Sequence, residues 1–367
     1  MPYAWPPEHP CHAGGTRISM SRVIGLAACD WYALQHLDQQ VSVVGRTQQQ
    51  IEQRVIAACE HSATEHNIPV AWQDEHGNLV AFCIVHFDRR TTINGVGTAY
   101  FSTLIALPQA SALQALMHSS IDYINSSRLL PRQVTELVGP IHSSFLIERG
   151  LRTFESDFNV FSLPANTQAL ADALTEAGFH KEKDLIEIVF EPPAQGYQYQ
   201  ALEDKLTQRL ADIQFVHCGQ DELVAKSQQL ADCYNRAWER NWGYSPASKG
   251  QFEVAARNIN NISALIAERH GEVVGFTMFA PALNQQGLYG RAFFTGVAPA
   301  YQRKGLSVAL TLKLSAIALS VVGRGRISVS WMLEDNIMVL RTMRHLTQEG
   351  VCHERAYRIY RYATPAE

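Results

Sequence analysis

The sequence lacks most of the features that announce common functions. Its seven cysteines (Cys11, Cys29, Cys59, Cys83, Cys218, Cys233 and Cys352) are odd in number and nowhere form a Cys-x-x-Cys pair. This favours reduced thiols over a disulfide framework or a zinc site. Positive charge is not in excess: 31 Lys and Arg against 35 Asp and Glu give a net charge of −4. That balance excludes a broadly basic nucleic-acid face and leaves only a local group at Arg324, Arg326, Arg341 and Arg344. The most apolar stretch, Leu306 to Val322, is shorter than a bilayer crossing and carries Lys313, so it reads as a buried helix. Residues 1–19, rich in proline and carrying His9, Cys11 and His12, have no apolar signal-peptide region and read as a disordered leader before Met20. Gly139-Pro-Ile-His-Ser-Ser144 lacks the frame of a nucleophile elbow. Gly323-Arg-Gly-Arg326 is too short for a dinucleotide fingerprint and follows a helix instead of a strand. Together these absences describe a cytoplasmic protein with no metal, no nucleic-acid partner and no membrane partner.

With 367 residues, 46% hydrophobic and 18% charged, the chain has material for about two globular domains. The stretch that organises the rest is Thr295-Gly-Val-Ala-Pro-Ala-Tyr-Gln-Arg-Lys-Gly-Leu-Ser307. An apolar strand (Phe293, Phe294, Val297) ends at Pro299, a short loop carries Gln302, Arg303, Lys304 and Gly305, and a long helix begins. Such a junction points consecutive backbone N–H groups at one spot, where the helix dipole adds its positive end. That spot suits a phosphate or pyrophosphate. Gly305 permits close approach or a positive φ, and Arg303 and Lys304 bring mobile positive charge to the rim.

These residues resemble motif A of the GNAT superfamily of N-acetyltransferases, whose loop reads Gln/Arg-x-x-Gly-x-Gly/Ala. Here it stands as Gln302-Arg303-Lys304-Gly305-Leu306-Ser307, with a small Ser307 in place of the last Gly or Ala. The resemblance implies that this loop and the backbone beside Val297 hold acetyl-CoA or another acyl-CoA, with no metal. It implies that the fourth and fifth strands of the domain splay apart around the pantetheine arm. It also implies a cofactor contact from Asn336, which equally fits an ordinary helix N-cap.

A second pattern is internal. His76-Gly77 and Phe82 recur as His270-Gly271 and Phe276, and each copy continues through an apolar strand ending in proline (Pro108, Pro299) into an apolar helix. The repeated order of hairpin, strand and helix predicts two copies of one fold. After Pro108 the first copy runs almost directly into Ala110 to Asn125 without a Gly or a basic pair, so it carries no pyrophosphate seat. The fold class is therefore α/β, an α+β mixed sheet: two GNAT-like domains in tandem, each a twisted mixed sheet flanked by helices. The expected boundaries are a leader at 1–19, an N-terminal domain at 20–191, a linker and connecting helix at 192–212, and a C-terminal domain with the acyl-CoA site at 213–367.

In the second copy a helix is expected from Asp221 to Trp238, leading into Trp238-Glu-Arg-Asn-Trp-Gly-Tyr-Ser-Pro246. The resemblance makes this segment the variable wall of the acceptor pocket, with Trp238, Asn241, Trp242 and Tyr244 as substrate-binding candidates. For Trp238, core packing is an equal alternative. The family's usual thiolate-protonating Tyr falls at Met343, which cannot donate a proton. Tyr357 and Tyr360 are the nearest substitutes, on a last strand read as having one tyrosine face and one face of Arg and Ile. The acidic candidates are Glu334, Asp335, Glu268 and Glu239, and the resemblance implies that Glu334 and Asp335 come closest to the cleft. The expectation is an N-acyltransferase acting on a small amine or amino-acid-like acceptor. The alternatives are a non-catalytic acyl-CoA-binding regulatory module and a transferase of aminoacyl or larger acyl groups.

Overall fold

The computed structural model describes residues 21–23, 30–60, 66–87, 97–127, 133–192, 199–347 and 350–364. The expected leader, and with it Cys11 and Cys29, lies outside them. The first copy opens with strand β1 (Ser21–Val23) and helices α1 (Trp31–Val41) and α2 (Gln48–Glu60), followed by strands β2 (His66–Gln73), β3 (Leu79–Phe87) and β4 (Thr98–Ala106). Helix α3 (Ala110–Ser126), β5 (Glu136–Gly139), β6 (Leu151–Arg152), α4 (Gln168–Glu176) and β7 (His180–Glu191) complete it. The second copy runs α5 (Gln200–Arg209), β8 (Gln214–Cys218), α6 (Gln220–Ala225), α7 (Ser227–Trp238), α8 (Lys249–Asn258), β9 (Ser263–Arg269), β10 (Glu272–Asn284) and β11 (Gly287–Val297). It ends with α9 (Leu306–Val322), β12 (Ile327–Leu333), α10 (Ile337–Thr347) and β13 (Val351–Ala363).

Local chemistry accounts for the element ends. Asp30 caps α1 by accepting from Ala33 N at 2.9 Å, and Leu34, Leu37 and Val41 bury one stripe of that helix. The helix expected over 221–238 divides at Lys226 into α6 and α7. Helix α8 starts from a capping box of Ser248 and Gln251. The β9–β10 hairpin turns at His270 and Gly271, both at positive φ, which fixes His270 as a turn residue.

The two copies repeat one plan. In each, antiparallel strands (β2-β3-β4 and β9-β10-β11) lead to a parallel partner (β5 and β12). Each central strand carries a bulge with one positive-φ residue, Thr103 at 52° and Phe294 at 51°, and each of these stands five residues before the matching proline. All of these strands belong to one sheet, ordered β1-β2-β3-β4-β5-β13-β7-β12-β11-β10-β9-β8, with β6 paired to β13. The copies exchange their last strands. β13 of the second copy pairs with β5 of the first, whereas β7 of the first pairs with β12 of the second.

The exchange divides the tyrosines of β13. A register shift follows Ile359, so Tyr357 joins Ile359, Val189 and Tyr289 in a central core, and Tyr360 and Tyr362 enter the core of the N-terminal copy around α3 and α4. The single tyrosine face expected of this strand is therefore not formed. On the other face of the second copy, Leu306, Leu310, Leu314 and Val322 of α9 pack on Ile186, Ile188, Val274, Ala292 and Ile327. Each such leucine contributes about 1.5–3 kcal/mol by leaving water. Helix α9 ends where Gly323, at φ 58°, donates to Leu319 O.

Candidate active site

The junction of β11 and α9 is a strand end, a single 3₁₀ turn at Pro299–Tyr301, a glycine turn and a helix start. Arg303 and Gly305 take positive φ values of 60° and 90°, which turns the backbone amides of the loop outward. Ala309 N donates to Gly305 O at 3.0 Å, the first bond of the helix, and Gln302 N donates to Pro299 O. Residues 302–305 form a turn, and among the described residues no close acceptor meets the backbone N–H groups of residues 303–308. Gln302, Arg303, Lys304 and Ser307 are exposed, so the mouth of the helix opens to solvent. Leu306 is buried in the core and offers the mouth only its N–H. Gln302 braces the loop through Nε2 to Val297 O at 3.0 Å, and Lys304 lies 5.5 Å from the Tyr301 ring. A methyl on Gly305 would meet Leu206 of α5 at 2.6 Å, so the connecting helix rests against one side of the turn.

Parallel pairing of β11 with β12 stops at Ala292 and Val329, although the strands continue to Val297 and Leu333. Beyond that point the two backbones face each other without a ladder, leaving unpaired groups for an extended guest. In the first copy β4–β5 pairing also stops early, at Tyr100 and Val138, but the gap is closed. Ile141 N donates to Phe101 O at 2.8 Å, and a methyl on Gly139 would sit 2.2 Å from that same oxygen. Helix α3 begins at Ala110 with no side-chain cap and no preceding glycine turn.

The wall residues divide between two cores. Trp238 stacks on Tyr234 with ring centroids 5.3 Å apart and donates Nε1 to Thr295 O at 3.2 Å. Tyr244 joins the same aromatic corner, its hydroxyl 3.1 Å from Asn235 Oδ1. Asn241 is half-buried in the turn between them. Trp242 alone turns toward the exchanged strand, packing on the central core with Lys183 Nζ 5.6 Å from its ring centroid.

Of the acid–base candidates, Glu334 and Asp335 are held in ion pairs that fasten the end of β12 to β7. Glu334 meets Lys181 at 2.5 Å and accepts from Asp184 N at 3.0 Å, while Asp335 meets Lys183 at 2.8 Å. The Lys183 hydrogen bond holds the Asp335 carboxyl below the usual carboxylate range. Glu268 is paired with Lys226 at 2.5 Å, and Glu239 is exposed at the end of α7. Asn336 caps α10 by accepting from Val339 N at 3.4 Å. Met343 is buried in the core beside α9. Tyr360 is buried in the N-terminal copy, its pKa pushed up to about 12 by burial. Replacing Glu334 and Asp335 together by alanine should lower stability by no more than about 1 kcal/mol, read from chemical unfolding. A fall in turnover of about a hundredfold or more would instead mark one of them as the base.

Tyr357 occupies a different setting. Its hydroxyl donates to Glu187 Oε2 at 2.9 Å in a network that no sequence pattern singled out. Glu187, fully buried on β7, also accepts from Ser328 at 2.7 Å and lies 3.8 Å from Arg355. Ser328 lies 3.3 Å from Ser330, which accepts from Arg291 Nε at 3.0 Å. Arg291 spans from there to Phe161 O at 2.9 Å, with the rings of Phe161, Phe293 and Trp331 around it. Burial lowers the Arg291 pKa to about 10 and, together with the nearby Glu187, raises that of Tyr357 well above its ordinary value. A hydrogen-bonded line thus links β11, β12, β7 and β13 on the face of the open strand gap opposite α9.

Among the described residues no cluster of His, Cys, Asp and Glu could hold a metal ion, and no helix is long and apolar enough to cross a membrane. Residues 227–344 match the acetyltransferase (GNAT) family. The chain is similar to a bacterial ceramide synthase from Caulobacter vibrioides, 22% identical in a match covering 72% of this chain and 75% of that protein. Among solved structures it is similar to a tandem GNAT protein from the clavulanic acid biosynthesis pathway, 14% identical, covering 95% of this chain and all of that one with a TM-score of 0.57. A GCN5-related N-acetyltransferase from Anabaena variabilis is 10% identical and covers 94% of this chain and 72% of that one, with a TM-score of 0.53. The architecture is that of the tandem GNAT form.

Proposed function

We propose that this chain, which carries a GNAT-family acetyltransferase domain at residues 227–344 in a tandem GNAT fold, is an acyl-CoA-dependent N-acyltransferase acting on a small-molecule amine. The observation that carries the reading is the run of backbone N–H groups from 303 to 308 without close acceptors among the described residues, at the solvent-facing mouth of α9. A diphosphate supplies what those donors lack, and Arg303 and Lys304 add positive charge at its edge. The pantetheine arm then lies in the gap between β11 and β12, where the ladder has ended. The amine attacks the thioester carbonyl from the side of Trp242 and Arg291. The carbonyl oxygen draws on a backbone N–H of β11 near Val297.

Neutral amine is the nucleophile: as its nitrogen bonds the carbonyl carbon the C–S bond breaks, CoA leaves as a thiolate that takes a proton from water, and the proton of the amine must be carried away. In this reading the Ser330–Ser328–Glu187 line is the route that leads away from the gap, and Tyr357 holds the Glu187 carboxylate at its far end. The roles of Trp238 and Tyr244 are to shape the pocket wall from behind.

A second reading concerns the acyl group. The relative from Caulobacter vibrioides is by its name a ceramide synthase, and ceramide is an amide, so its product has the bond proposed here. That relation favours a longer acyl donor over acetyl. Incubating the protein with acetyl-, octanoyl- and palmitoyl-CoA against a panel of amines, with free thiol as the readout, tests both readings. Amine-dependent thiol release is expected, and the chain length with the highest rate identifies the donor class. Binding of every acyl-CoA with no release would instead leave a regulatory acyl-CoA module.

A further inference from the structure

One loop of the first copy reaches into the second. Residues 141–150 are tied down at home: Ile141 N donates to Phe101 O at 2.8 Å and Gly150 N to Pro140 O at 2.7 Å. Ile147 is buried with Leu34, Ile51 and Val55, and Glu148 meets Arg46 at 3.2 Å and Arg54 at 2.7 Å. Between these anchors Phe145 leaves its own copy. Its buried ring packs against Phe294 of β11 with centroids 4.6 Å apart, against Phe252 of α8 at 5.0 Å and against Tyr234 of α7 at 5.7 Å.

Phe294 carries a backbone that needs support. It takes φ 51°, and a left-handed conformation is unfavourable for a bulky residue unless its surroundings hold it there. Phe294 and Thr295 together face Thr277 alone, between the pairs Met278–Phe293 and Phe276–Gly296, so β11 carries one extra residue at this point. That residue decides which edge of the strand each later N–H meets. Ala298 N donates across to Val274 O at 2.9 Å, so the N–H of Val297, one residue earlier, points to the other edge, into the gap toward β12. Val297 O is taken by Gln302 Nε2 at 3.0 Å and not by β10. The bulge is held at two points: Thr295 by Thr277 Oγ1 at 2.8 Å and Trp238 Nε1 at 3.2 Å, and Phe294 by the ring of Phe145. The counterpart of Phe294 in the first copy is Thr103, at φ 52°, which has no ring to grip.

We propose that Phe145 is a positioning residue for acyl transfer: by gripping Phe294 it fixes the β11 bulge in the form that turns the Val297 N–H toward the thioester oxygen, so that the first copy completes the site of the second. The inference rests on the N-acyltransfer reading and adds the residue that aims its backbone donor. Negative charge gathers on the carbonyl oxygen as the amine attacks, and a donor aimed there in advance stabilises that state more than the bound thioester. A slack bulge leaves the donor in place but loses its aim.

Two readouts on the full-length protein separate positioning from packing. One is kcat by thiol release; the other is the carbonyl band of bound, isotope-labelled acetyl-CoA by infrared difference spectroscopy, which needs no amine and no turnover. In the wild type the band should lie below its position in free acetyl-CoA. Phe145→Ala should return it toward that position and lower kcat by about a hundredfold, with the Kd for CoA changed by less than about threefold. Phe145→Leu keeps an apolar body against Phe294 and should recover part of both effects. Leu223→Ala opens a cavity in the same core from α6, which packs on α7, α8, β8 and β9; it should lower Tm yet leave kcat and the band at wild-type values. Adding Phe294→Ala to Phe145→Ala should lose no more turnover than the worse single variant, within about threefold, because the two rings form one contact. Circular dichroism verifies folding, and Phe145→Leu carries the test if the alanine variant does not fold. A wild-type band at the free position, a band and kcat unmoved by the Phe145 variants, an equal loss of kcat in Leu223→Ala, or a double-variant loss equal to the product of the single losses overturns the inference and leaves N-acyl transfer standing. A Phe145-dependent band with no thiol release for any amine would support the grip on the bulge while removing the acyl-transfer reading.

Discussion

Gly305→Glu is expected to abolish the thermal stabilisation that CoA gives to the protein and to weaken CoA binding by about a hundredfold or more by calorimetry. Three effects act together. Gly305 sits at φ 90°, where an L-residue is strained by roughly 1–2 kcal/mol. Its Cβ would lie 2.6 Å from Leu206 Cδ2, so α5 must shift. The new carboxylate also brings negative charge to the N–H groups of 303–308, where it competes with the diphosphate. Gly305→Asn tolerates positive φ better and carries no charge, so it should bind CoA with intermediate affinity. Equal losses in the two variants would mean that strain, and not charge, governs the site.

The second large effect is on stability. Replacing Glu187 by leucine should lower the unfolding free energy by about 3–5 kcal/mol, because it leaves buried cationic and hydroxyl partners without their shared acceptor. Ser328, Tyr357 and Arg355 all converge on this carboxylate, and through Ser330 it is linked to Arg291. Those residues come from β11, β12 and β13, so the loss is felt where the copies interlock. Glu187→Gln keeps the shape and one acceptor and should fall between wild type and Glu187→Leu. A loss below about 1 kcal/mol for the leucine variant, as at an exposed site, would show that the network does not hold the exchanged strands.

Much of the second copy was legible in sequence because its signals are local. The periodicity of Leu306 to Val322, the punctuation by Gly305 and Gly323, and the repeated His-Gly turn each depend on neighbours within a few residues. Helix α8 carries a local Ser248–Gln251 capping box, whereas the division of α6 from α7 at Lys226 is hidden in a continuous helical pattern. The strand exchange was not legible at all. Alternating apolar residues mark β7 and β13 as strands, but no local term says which copy each strand will join.

The central polar line had left a trace. Arg291 interrupts the apolar run of β11, Glu187 that of β7 and Ser328 that of β12, and an ionisable or hydroxylic side chain inside such a run needs a buried partner. What sequence could not supply was the pairing, since Glu187 stands more than a hundred residues from both Ser328 and Tyr357. The same holds for Phe145 of the first copy, whose ring neighbours Tyr234, Phe252 and Phe294 all belong to the second. Glu334 and Asp335, by contrast, looked poised at a strand end and prove to be tied to Lys181 and Lys183.

The most direct measurement is a crystal structure of the protein grown with CoA. One CoA should be present per chain, its diphosphate oxygens within hydrogen-bonding reach of the backbone N–H groups of residues 303–308 and its pantetheine between β11 and β12, with the N-terminal copy empty. A diphosphate bound at any other place, or a second CoA at the start of α3, would contradict the account.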